Sequence, residues 1–204
     1  MTPFDRNIKE IIEFSWPMTA ICIFLFSSIR IVDVIKNKKK FVLYKELFFL
    51  IFLVYVLSLF QVVTFEDPTL GLLQNNLTPL KEIMRYEFGS RLFFKNVLGN
   101  FLMFVPYGLF VSIIVKLDKW YQAVFLVAFA SVTVEATQLL IGRVFDVDDI
   151  ILNISGGTFG YFLYYLGMKI ANRFPKLLKN GVILNLLTIT ILISLLYYIW
   201  KVVY

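Results

Sequence analysis

Apolar residues in this chain gather into six runs, separated by short stretches where charges return. The runs occupy residues 14–35, 47–65, 97–115, 120–141, 150–168 and 182–200. A helix of about 20 apolar residues crosses the hydrocarbon core of a bilayer, so each run approximates one crossing. Four of the six hold no charge. The first holds Arg30 and Asp33, three apart on one helical face and able to pair. The fourth holds Glu135 alone. The pattern predicts an all-α protein, a polytopic transmembrane helical bundle of about six spans. Its expected organisation is an N-terminal helix with a basic loop over 1–44, a membrane domain over 45–168, and a C-terminal helix over 169–204.

Composition removes most other classes. Hydrophobic residues make up 59% of the chain and charged residues 17%, against about 25% charged in soluble proteins. A soluble domain of this size cannot hide that much apolar surface. The absence of histidine excludes His-based triads and His-ligated metals. The single cysteine, Cys22, excludes an internal disulfide and a multi-Cys zinc site, and in its apolar run it reads as a packing residue. The net charge of +6 sits at the flanks of the apolar runs, which suits anionic lipid and not nucleic acid. Arg6 and Lys9 are offset by Asp5, Glu10 and Glu13, and no small-residue cleavage site follows. The first run therefore reads as a retained helix.

Lys and Arg beside the spans number eleven on one side, dominated by the KNKKK run at 36–40, and eight on the other. The first side is expected to be cytoplasmic, with both termini outside. Trp16, Trp120 and Trp200 fall near span ends, as interfacial anchors do.

Whatever the orientation, alternation brings the ends of spans two to five to one side, together with the connection from 66 to 96 and the turn at 142–149. The unusual polar residues concentrate there. Asn96 and Asn100 stack on one face of the third span, followed by Phe104, Pro106 and Gly108. Glu135 and Gln138 share a face of the fourth, with Glu135 roughly 9 Å inside the helix end. An acid at that depth must be paired, protonated or open to water. The turn GRVFDVDD supplies Arg143, Asp146, Asp148 and Asp149. Acids there cap the fifth helix, although three exceed what one cap requires. Asp149, Asn153, Gly156 and Gly160 then form one stripe, whose glycines admit a neighbouring helix closely. The expected result is a ligand-binding pocket of Asn96, Asn100, Glu135, Gln138, Asp149 and Asn153, with Arg143 and Asp146 at its mouth.

Asn96-x3-Asn100-x3-Phe104-x-Pro106-x-Gly108, Glu135-x-x-Gln138, Arg143-x-x-Asp146-x-Asp148-Asp149, and Asn153 followed by Gly156, Gly157 and Gly160 resemble the VanZ-like family. Asn76 and Pro79 are similar to a short element preceding the third span there, with Thr78 in place of the more usual apolar residue. The resemblance covers roughly residues 45–168. It implies a multispanning protein of the bacterial cell membrane connected with teicoplanin resistance, and brings no agreed reaction.

Three functions compete. In the leading one, an outward-facing site binds a membrane lipid, a lipid-linked wall precursor or a lipoglycopeptide, and lowers susceptibility to glycopeptides. Arg143 would grip phosphate or carboxylate, and the amides would supply neutral hydrogen bonds. In the second, Glu135, Asp146 and Asp149 are the catalytic groups of a membrane enzyme. Asp146, Asp148 and Asp149 would be the candidate oxygen ligands of a divalent ion, although no metal or other cofactor is expected. In the third, the small-residue face of the fifth helix serves a scaffold without a substrate. Enzymatic activity is left open by the sequence, as is oligomeric state.

Overall fold

The computed structural model describes residues 3–65, 75–175 and 180–203, and every regular element among them is helical. In chain order these are α1 (Pro3–Lys36), α2 (Leu43–Phe65), α3 (Lys81–Arg85), a π-helical turn (Phe93–Leu98) that runs directly into α4 (Gly99–Val115), α5 (Trp120–Leu140), α6 (Val147–Arg173) and α7 (Gly181–Val203). Each apolar run of the sequence is thus a helix. Four are long and apolar enough to cross a membrane: Trp16–Lys36, Leu43–Thr64, Phe93–Val115 and Trp120–Leu140. In α6 the apolar content is diluted by Asn153, Ser155, Gly156, Gly157 and three tyrosines. In α7 the apolar stretch is the shorter Gly181–Ser194. Large apolar side chains line the exteriors, Phe24, Phe125 and Phe129 among them, as lipid-facing surfaces require.

The third span differs most from expectation. Its helical run begins at Arg91, upstream of the uncharged stretch, because the Ser90 hydroxyl accepts the Phe93 amide (3.1 Å) and starts the coil before Lys95. The π geometry adds one residue to that turn, and Asn96 lies within it. Lys176, Lys179 and the Glu66 end of the long connection, which entered the charge and loop readings, lie outside the described residues.

The chain forms two compact units, one of Met1–Val62 with Ala171–Tyr204 and the other of Val63–Ile170. In the first, Arg30 does pair with Asp33 (2.6 Å), and it also grips Glu46 of α2 with two nitrogens (2.7 and 2.9 Å). The Tyr44 amide donates to Asn185 Oδ1 of α7 (3.0 Å). These bonds staple α1, α2 and α7 at their polar ends.

The second unit is built on close approach of α4 and α6. A Cβ on Gly156 would collide with the Phe101 carbonyl, and one on Gly160 with the Val105 carbonyl and the Leu109 amide. A Cβ on Gly108 would strike the Gly157 backbone. The stripe read from the sequence is therefore the contact face. Gly157 receives the Val127 side chain of α5, and Val127 and Phe104 are fully buried. Farther along, Leu117, Ala123 and Tyr161 form an apolar cluster, with Tyr161 Oη donating to the Asp118 carbonyl (3.1 Å). This packing holds the polar halves of α4, α5 and α6 in register.

Candidate functional site

Helical spacing sets the site out as a column. On α5, Ser131, Glu135 and Gln138 succeed one another at intervals of four and three, and all three are buried. On α6, Asp149 and Asn153 stand one turn apart, and on α4 Asn100 stands one turn before Phe104.

At the mouth, the side chain of Gln138, oriented by its neighbours, links Glu135 to Arg143. Its Nε2 donates to Glu135 Oε1 (2.9 Å) and its Oε1 accepts from Arg143 Nη1 (2.7 Å). Glu135 and Arg143 are thus joined through an amide in this arrangement. Arg143 Nη1 also donates to the Val63 carbonyl (3.0 Å), and the other Glu135 oxygen accepts the Asp146 amide (3.1 Å). One level along, Asn100 Nδ2 donates to Asp149 Oδ1. Below that, Asn153 Nδ2 donates to Ser131 Oγ (3.1 Å) between α6 and α5. Asn153 Oδ1 is buried and has no hydrogen-bond partner among the described residues. Phe104 and Val127, one turn beyond Asn100 and Ser131, are apolar and fully buried. Asn96 lies half-buried in the π turn, one turn before Asn100, and makes none of these contacts.

Asp146 and Asp148 do different work. Asp146 is the N-cap of α6, its Oδ1 accepting the Asp148 amide (2.8 Å) and Asn76 Nδ2 (2.8 Å). Burial pushes its carboxyl above the ordinary 3.8. The two hydrogen bonds oppose that rise, while the nearby acids Asp148 and Glu82 add to it. Asp148, 1% exposed, accepts the amides of Leu80, Glu82 (2.7 Å) and Ile83 (3.2 Å). It therefore anchors α3 and holds Leu80 at φ 66, a left-handed conformation that a leucine rarely adopts. The backbone of Asn76 completes the anchor, pairing with Phe145 (2.9 Å) and Val147 (3.0 Å).

The structure thus gathers Asn100, Glu135, Gln138, Arg143, Asp146, Asp149 and Asn153 at the adjoining ends of α4, α5 and α6. The oxygens of Asp148 face α3. Among the described residues, no three acidic or thiol groups are grouped as an ion site. Ser131, the buried hydroxyl of the column, is partnered by an amide and not by a base. Ser131 and Asn76 were missing from the expected pocket. For Ser131 the signal was present, since it lies one turn before Glu135 on the Gln138 face. Asn76 acts across 70 residues of sequence, where spacing carries no signal.

The arrangement offers one guanidinium, several carboxylates and a set of amides in an otherwise apolar helical body. A helical membrane protein with a buried polar column is the class this fold and site define. The chain belongs to the VanZ/LLP1 family, whose model matches residues 41–170 and so takes in the whole column. No curated protein and no solved structure matches it.

Proposed function

We propose that this is a multi-pass protein of the bacterial cell membrane whose polar column binds the head group of an amphiphile from the outer leaflet. Its physiological output is reduced susceptibility to teicoplanin-like glycopeptides. One observation carries the reading. Asn153 Oδ1 lies at the inner end of the column, the residue is 2% exposed, and no donor among the described residues reaches it. Buried acceptors without partners are rare and costly. A hydroxyl or amine of a bound head group would satisfy this one, while Arg143 at the mouth would take a phosphate or carboxylate. The excess of Lys and Arg on the opposite flank supports an outward mouth. The ligand class is therefore a lipid or lipid-linked wall precursor that carries both an anionic group and a hydrogen-bond donor.

Complementation of a deletion strain tests this. Glu135→Gln, Arg143→Gln and the double variant are compared for teicoplanin susceptibility, with membrane abundance measured in parallel. If both residues serve a ligand, each single change sensitises the strain and the double change brings no recovery. Recovery in the double variant would reduce the two residues to mutual neutralisation. Full resistance from both singles at normal abundance would sink the site.

A further inference from the structure

The connection between α2 and the π turn carries a second feature, which does not depend on what the column binds. Its described part is fastened along one side: the backbone of Asn76 pairs with Phe145 and Val147, and Asp148 takes the amides of Leu80, Glu82 and Ile83. Large apolar side chains of the same part are exposed. Leu77 is 72% exposed, Met84 81% and Phe88 87%. Leu80 and Leu92 are exposed as well, so large apolar residues recur at intervals of three, four, four and four. Lys81, Arg85, Arg91 and Lys95 are interspersed among them, against Glu82 and Glu87. Glu82 is already held by Arg85 (3.1 Å).

A loop meant for water does not present five large apolar side chains in series on a backbone anchored from behind. Apolar side chains mixed with cations are the composition of segments that lie in the head-group region of a bilayer. The cationic excess specifies the partner further, since anionic head groups attract each nearby Lys or Arg. The patch also continues into exposed Phe94 and Leu102 of Phe93–Val115, a helix long and apolar enough to cross a membrane. We propose that residues 77–92 form a membrane-interface patch that rests its Leu77, Met84 and Phe88 side chains in the head-group layer of an anionic leaflet, with Asp148 and Asn76 as its fixed mount.

The test uses the full chain with Cys22→Ser and one cysteine at a time: Met84→Cys, Phe88→Cys, or Asp118→Cys as a loop control. Each is labelled with an environment-sensitive fluorophore and reconstituted into phosphatidylcholine vesicles, with or without phosphatidylglycerol. Quenching by brominated acyl chains is compared with quenching by aqueous iodide. Positions 84 and 88 are expected to be quenched several-fold more by the brominated lipid than position 118, and less by iodide, with the contrast growing when phosphatidylglycerol is present. Lys81→Glu with Arg85→Glu and Arg91→Glu should remove the phosphatidylglycerol dependence. Iodide quenching equal to that at position 118, with none from brominated lipid, would overturn the proposal in favour of a water-exposed loop. Shielding from both quenchers that disappears on dilution with excess lipid would overturn it in favour of contact between copies.

Discussion

Asp148→Asn is the most informative single change in the second unit, because its cost can be worked from the geometry. The Asp148 carboxylate receives three backbone amides, from Leu80, Glu82 and Ile83, and a longer contact from Asn76 Nδ2 (3.4 Å). Asparagine with its oxygen at the Oδ2 position still receives Glu82 and Ile83 but turns an NH2 toward the Leu80 amide, so one bond is lost and the other two lose their charge. Hydrogen bonds to charged groups contribute about 1.5–3 kcal/mol each, and rehydration of amides in a partly exposed loop offsets part of that, leaving about 2–4 kcal/mol. The loss falls on the anchoring of residues 76–92 and leaves the α4–α6 contact intact. In detergent, limited trypsin digestion reads this opening at Lys81, Arg85 and Arg91. Where reclosing is faster than cleavage, the rate follows the open population, so about 30-fold to several hundred-fold faster cutting is expected. Asp149→Asn, whose carboxylate meets Asn100 and not α3, should cut at close to the wild-type rate. Unchanged cleavage in Asp148→Asn would refute the anchor.

Gly156→Leu and Gly160→Leu should each lower thermal stability by at least the roughly 1–3 kcal/mol of ordinary overpacking, since the obstacle is backbone on α4. Gly167→Leu, where a Cβ meets nothing within 4 Å, should melt like the wild type, and equal melting of all three would dismiss the glycine contact. Asp146→Asn retains the capping oxygen and removes the titration. Because the folded state raises the Asp146 carboxyl above 3.8, it holds that proton more tightly than the unfolded chain. The wild type should therefore gain stability relative to Asp146→Asn as pH falls through the raised value, with the gain complete below 3.8. Melting curves between neutral and acid pH check the sign, and a relative loss on acidification would contradict it.

The helices were legible because apolar runs must be helical to satisfy their backbone in lipid. Residues 120–141 and 47–65 match α5 and α2 to within a few positions. The helix starts were harder to read. Phe93–Leu98 contains Lys95, which ends an apolar run but not a helix, and its π turn follows from no composition rule. In the site, residues linked by helical spacing were visible, Glu135 with Gln138 and Asp149 with Asn153. The division of labour among the three aspartates was not. Asp146 and Asp148 differ by two positions, yet one caps its own helix and the other anchors α3, more than 60 residues away. That distinction depends on which segment returns to the α6 end, and Asn76 makes that contact through its backbone.

The central claim is that the column holds an amphiphile, and native mass spectrometry of protein released gently from membranes tests it most directly. Wild type and Gly167→Leu are compared with Glu135→Gln, Arg143→Gln and Asn153→Leu at matched abundance and melting temperature. The account expects a retained adduct carrying an anionic group on the wild type and on Gly167→Leu. That adduct should be sharply reduced on Arg143→Gln, which gives up the anion contact, and on Asn153→Leu, which gives up the inner acceptor. Equal adduct occupancy on all five proteins would contradict the account, because the bound molecule would then owe nothing to the polar column.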